Sequence, residues 1–239
     1  MWQMILFVLV TAFAVFVQSV AGFGGTLLSM PLGILLVGVG VARPVLTIVA
    51  WITGIVMAIA GWRQINWKEL IKMTLVMLVG VLLGIWLFNN LSLSFLLVLY
   101  GVMIILIGLK KLLRPSSRTL PAPLQWGALT IAGLMQGLFV SGGSFLVIYA
   151  MARIKEKQVF RPTINLVWAL LNTVLVVNYF LSGQLSGSVL SASGICLVPT
   201  FLAMAAGAAL AKRINQAVFL KIVNLILIVS GAVLVISNI

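Results

Sequence analysis

Ten apolar stretches, separated by short polar or basic joints, fill nearly the whole chain. They fall at about 3–21, 25–40, 44–62, 70–88 and 93–110, and again at about 123–140, 143–152, 162–182, 187–211 and 217–237. None alternates with the two-residue period of a membrane-barrel strand, so each is predicted to be a helix. Lys72 and Lys110 bracket 37 uncharged residues, and the 50 residues from Pro162 to Ala211 carry no charge. A membrane helix takes about 20 predominantly apolar residues, so each of these runs holds two spans. The expected fold is an all-α integral membrane protein with 8–10 membrane helices. The first two stretches of each half form either a full hairpin or a re-entrant pair meeting near the midplane. The second copy has only about eleven residues from Gly143 to Arg153, which favours re-entry.

Polar residues interrupt this pattern in two matching places. Gln18-Ser19-Val20-Ala21-Gly22-Phe23-Gly24-Gly25-Thr26 follows the first stretch, and Gln136-Gly137-Leu138-Phe139-Val140-Ser141-Gly142-Gly143-Ser144 follows the sixth. An offset of 118 residues carries Gln18 onto Gln136, Gly24-Gly25 onto Gly142-Gly143, Thr26 onto Ser144 and Arg43-Pro44 onto Arg161-Pro162. The chain is therefore divided into a first repeat at 1–113, a proline-bearing cytoplasmic linker at 114–122 and a second repeat at 123–239.

Charge supplies the orientation. Arg63, Lys68 and Lys72 form one basic cluster, and Lys110, Lys111, Arg114 and Arg118 a second. Arg153, Lys155, Lys157 and Arg161 form a third, and Lys212, Arg213 and Lys221 a fourth. Two passes separate successive clusters, so 14 of the 15 basic residues can face the cytoplasm, leaving Arg43 outside. Both termini, Asn89-Asn90 and Ser182-Gly183 then face out. Five segments per half is an odd number, so the second repeat is inverted relative to the first, a recurrent plan of secondary transporters.

Composition narrows the function class. Residues are 63% hydrophobic and 7% charged, far from the roughly one-quarter charged of soluble domains. The net charge of +13 sits in short loops that meet anionic headgroups, so the partners are membrane lipid and a small substrate, with no nucleic acid. A lone Cys196 excludes an internal disulfide framework and reads most simply as inert packing. The apolar N-terminus lacks the basic flank of a signal peptide and is counted as structure.

The candidate site follows from the two interruptions. Gly24, Gly25, Gly142 and Gly143 can free backbone N–H groups at helix starts, which suits an anion, or can simply let helices pack closely. Gln18 and Gln136 should point inward, because an amide facing lipid is costly; they can reach substrate or tie helices together. Thr26, Ser141 and Ser144 add hydroxyls beside the glycines. Asn165, Trp168 and Asn172 share one helix face, as do Thr47, Trp51 and Gly54 in the equivalent segment. These stripes line a pathway or form interhelical hydrogen bonds of about 0.6 kcal/mol each. Arg43 and Arg161 precede prolines expected in a first helical turn, where they attract anions or snorkel to headgroups.

Histidine is absent, and Glu69 and Glu156, the only acids, stand beside lysines in segments read as loops. No carboxylate pair, metal cluster or proton relay can be assembled, no cofactor is implied, and the serines lack a base. An enzyme is not expected.

The chain resembles the sulfite exporter TauE/SafE family of small bacterial membrane transporters. The resemblance lies in Gly22-x-Gly24-Gly25 with Pro31, in Gln136-Gly137 and Gly142-Gly143, and in the two-repeat layout over essentially the entire chain. Tyr149 stands where the first copy has Pro31. The resemblance implies an inner-membrane transporter of sulfite, sulfonates or related organosulfur acids. An anion channel without alternating access and a non-transporting membrane scaffold are the competing readings. Orientation has a direct test. With Cys196 replaced, Asn89→Cys and Ser186→Cys should react with an impermeant thiol reagent from outside only. Lys111→Cys and Lys157→Cys should react from inside only, and outside labelling of those two would overturn the inversion.

Overall fold

The computed structural model describes residues 2–22, 24–113, 121–211, 213 and 216–239, and among them there is no strand. The first half holds α1 (Trp2–Ala21), α2 (Gly25–Val37), α3 (Val39–Ala60), α4 (Trp67–Asn90) and α5 (Leu93–Leu113). The second holds α6 (Ala122–Phe139), α7 (Gly143–Arg153), α8 (Lys157–Leu181), α9 (Gly187–Leu210) and α10 (Gln216–Ile236). Most of the expected linker lies outside the described residues. Seven of these helices are long and apolar enough to cross a membrane; α2 and α7 are short, and α6 is diluted by Gln125 and Gln136. Large apolar side chains point outward along the long helices, among them Leu75, Val79, Leu82 and Trp86 of α4. That surface suits lipid and would be a liability in water. Trp62 and Trp67, both exposed, stand beside Arg63 and Lys68, the mixture of aromatic and basic residues that suits a membrane interface.

Local chemistry sets several boundaries. Asn66 caps α4, its side chain accepting from the Glu69 N–H, and Ser186 caps α9 in the same way. Glu69 is thereby in the first turn of α4 and buried, not in a loop, where it accepts from Lys72 and Tyr149. α3 and α8 start at Val39 and Lys157, well before the expected 44 and 162. Pro44 and Pro162 thus lie inside helices rather than in their first turns. A proline there removes the helical donor for the carbonyl four residues back, at Gly40 and Gln158, but does not stop the helix.

The main packing pairs each take one helix from each half: α4 with α6, α1 with α9, α3 with α8, and α5 with α10. Exchanging the halves in order turns the first two pairs into one another and leaves the last two unchanged. Between α4 and α6 the backbones touch. Gly80 and Gly84 face Gly133 and Gly137, the four-residue spacing of close membrane-helix contacts. A Cβ on Gly133 would overlap the Met77 carbonyl, and one on Gly80 would lie 2.7 Å from the Leu134 nitrogen. A matching approach joins α1 to α9, where a Cβ on Gly207 would lie 2.7 Å from the Ser19 Cβ. The α6 glycines give a paired prediction. Gly133→Ala should destabilise by roughly 1–3 kcal/mol through overpacking, lowering the melting temperature in detergent by several degrees. Gly127→Ala, where nothing lies within 4 Å, should leave it unchanged or raise it slightly. Equal effects of the two would remove the backbone contact as the reason.

Candidate functional site

The two helix breaks are built alike. Gly22 (φ 88°) and Val140 (φ 55°), which share the 118-residue register, both end a helix in the left-handed conformation. Glycine enters that region freely, whereas a β-branched valine is strained there by about 1–3 kcal/mol, a cost typical of functional segments. Gly24 (φ 88°) then opens α2, and Gly142 opens α7. A Cβ on Gly142 would overlap the Ala132 carbonyl, so that glycine is required by the tight reversal of α7 against α6. Gly143 differs, since its Cβ would meet the Gly24 nitrogen at 3.7 Å and the Trp168 ring at 3.9 Å, ordinary contacts. The breaks of the two halves therefore touch, and the first turns of α2 and α7 start from one place.

At such starts the first N–H groups have no helical acceptor. Leu28 donates to Gly24 and Leu146 to Gly142, which leaves Gly25 and Thr26 in α2 and Gly143 and Ser144 in α7 without a backbone acceptor among the described residues. The Gly142 N–H donates to Gln136 Oε1 at 3.4 Å, and Gln136 Nε2 donates to Asn172 Oδ1 at 2.7 Å. This fixes both amides and leaves Asn172 Nδ2, on a residue 1% exposed, without an acceptor among the described residues. A buried donor in this position is costly unless an acceptor arrives. Gln18, the equivalent of Gln136, lies against Gly25 and lines a small cavity with Thr26 and Ser29. A second cavity, lined by Gly24, Lys111 and Asn224, lies between α1, α2, α5 and α10. The two have about 10 and 20 Å³, room for about one water each.

The arginines hold the opposite ends of the breaks. Arg43 of the first half is 2% exposed and donates through Nη2 to the Gly137 carbonyl near the end of α6, at 2.5 Å. Arg161 of the second half is exposed and donates to the Val20 carbonyl near the end of α1, at 3.5 Å. Each therefore sits at the negative end of a helix from the other half, where a cation is favoured. Snorkelling does not describe Arg43. Its guanidinium lies over the Phe88 ring, 3.7 Å from the ring centre, and over Tyr179 at 5.4 Å.

Other expected residues are placed less centrally. Trp168 joins the breaks, but Trp51 donates to Thr173 on a half-exposed face of α3. Thr47 bonds the Arg43 carbonyl and Tyr179, supporting the arginine. Asn165 is buried, its backbone carbonyl against Gly54. Ser141 shares a 2.6 Å hydrogen bond with Tyr100, and Ser144 accepts from Lys111 at 3.0 Å. Tyr100 and Lys111 were not among the expected site residues. Only the basic cluster marked Lys111 in the sequence, and pattern alone reads it as cytoplasmic.

Comparison with known proteins points to membrane transport. The chain is 24% identical over 174 residues to the "Probable inner membrane transporter protein TsaS" of Comamonas testosteroni, covering 72% of this chain and 73% of that protein. No solved structure matches. The family described as "Sulfite exporter TauE/SafE" matches residues 7–234, nearly the full length. The chain belongs to the sulfite exporter TauE/SafE family of membrane transporters.

Proposed function

We propose that this protein moves a small anion, sulfite or a related sulfonate, across a bacterial inner membrane, binding it where the two broken helices meet. One observation carries the reading: the α2 and α7 starts converge at Gly24 and Gly143 beside an Asn172 amide donor that has no acceptor among the described residues. Unpaired N–H groups and the positive ends of two helices recognise negative charge without a basic side chain. The family and the relative's title support transport, and the family's description supports the sulfur anion. Inversion of the two halves, with both termini outside, gives a site reachable alternately from either face. Since each long packing pair takes one helix from each half, pairs rather than halves would shift during the cycle. The small cavities favour such a gated site over an open channel.

Energetics set the direction. The two acids are Glu69, already held by Lys72 and Tyr149, and Glu156 just ahead of α8, so proton coupling has no evident carrier. The membrane potential then provides the bias. Moving one negative charge outward through 100 mV, negative inside, yields about 2.3 kcal/mol, enough for roughly a fiftyfold gradient. Export is the natural direction.

Purified protein in liposomes should show saturable sulfite or sulfonate counterflow, and net flux should follow an imposed potential at fixed pH without sodium. Flux that ignores the potential and requires a proton or sodium gradient would sink the uniport. Gly143→Leu should abolish flux while the protein stays folded, by filling the space between the breaks. Gly143→Ala, whose methyl fits, should retain it. Unchanged kinetics in the leucine variant would return the breaks to ordinary packing.

A further inference from the structure

Lys110 and Lys111 are neighbours in the sequence and diverge in the structure. Lys110 is exposed, whereas Lys111 is half-buried and turns inward from the end of α5. Its Nζ donates to the Oγ of Ser144, the second residue of α7, at 3.0 Å. The same side chain lines the cavity that contains Gly24, the residue opening α2, together with Asn224. One lysine therefore bonds the break of the second half and borders the cavity beside the break of the first. Lys111 is carried by the last turn of α5, where a cation is favoured, but its ammonium lies against the first turn of α7, a positive helix end that favours an anion. An anion between them turns that like-charged arrangement into a favourable one. The buried Asn172 Nδ2, anchored to the α7 break through Gln136, independently calls for an acceptor in the same region.

We propose that Lys111 is the charge-bearing ligand of the transported anion and sets selection for anionic over neutral substrates, with Ser144 as its partner when no anion is bound. This rests on the transporter reading above. In the bound state Lys111 leaves Ser144 for an anion oxygen, and the α7 N–H groups meet the same anion from the other side.

The test is radiolabelled sulfite counterflow, with a panel of small sulfonates, by the full chain in liposomes. Loss of a charged hydrogen bond in Lys111→Gln should raise the half-saturation concentration roughly ten- to a hundredfold, with a smaller change in maximal rate. Lys111→Arg, which keeps the charge, should restore most of the affinity, a rescue that a purely structural role would not give. Wild-type half-saturation in the glutamine variant would overturn the assignment and leave the transporter reading standing. Absence of saturable flux in the wild type would overturn both. Should the variants fail to fold, the wild type still decides. Sulfite should protect Lys111, and not exposed Lys110, from acylation read by mass spectrometry, and equal modification with and without sulfite would overturn the proposal.

Discussion

Inside a bilayer there is no water to complete a hydrogen bond, so a helix that stops there must have its freed backbone groups met by protein. This one requirement organises the centre of the molecule. At the ends of α1 and α6 the freed carbonyls are met by arginines from the opposite half, Arg161 and Arg43. Turns formed by Gly22, Val140 and Ser141 satisfy further groups by bonding back to Gln18, Gln136 and Met135. At the starts of α2 and α7, among the described residues, the Gly142 N–H finds a side-chain acceptor in Gln136 and the other first-turn donors find none. What remains over is a set of donors with one polarity. The candidate site is the remainder of that accounting, and these backbone donors favour negative charge although the breaks themselves carry no charged side chain.

The same requirement explains why much of the design was legible in sequence and part was not. Span lengths and uncharged runs follow from bilayer thickness, so the ten stretches and the glycine breaks could be located to within a few residues. The exceptions are the starts of α3 and α8, where proline was read as a boundary although it interrupts only one bond. The matching of the two breaks was legible because Gln18 and Gln136 keep one register with their glycines. The burial of Arg43 and the inward turn of Lys111 were not foreseen for a common reason. Their partners are the Gly137 carbonyl and the Ser144 hydroxyl, and neither kind of partner leaves a recognisable pattern. Positive residues near span ends usually orient the chain, and nothing in the sequence says which of them turn inward. The α4–α6 contact was also out of reach, since Gly80-x-x-x-Gly84 declares closeness without naming its partner.

Packing and site are coupled through α6. Its last turns carry Gly133 and Gly137 against α4, the Gln136 amide against Asn172, and the Gly137 carbonyl against Arg43. A shift of α4 along this interface would therefore move Gln136 and the Gly142 N–H it holds. Side chains at 80, 84, 133 or 137 would separate the backbones and disturb the break without touching it. Glycine in these positions accordingly serves the site as well as the lipid-embedded interface.

Counter-charge by a helix end rather than by a carboxylate has consequences for motion. Removing even one partner of a buried arginine–glutamate pair costs about 3–5 kcal/mol, and separating the two leaves both charges uncompensated. Separating Arg43 from the α6 end leaves one cation and a backbone dipole, and the cation keeps the faces of Phe88 and Tyr179. The second contact of this kind, Arg161 with Val20, is longer and exposed, so the two ends of the molecule are not equivalent in this conformation. A protein built from matched halves can exchange such environments if the contact holding each is specific but separable. An arginine on a carbonyl meets both conditions, and a chain with two acids in 239 residues has few other means of meeting them.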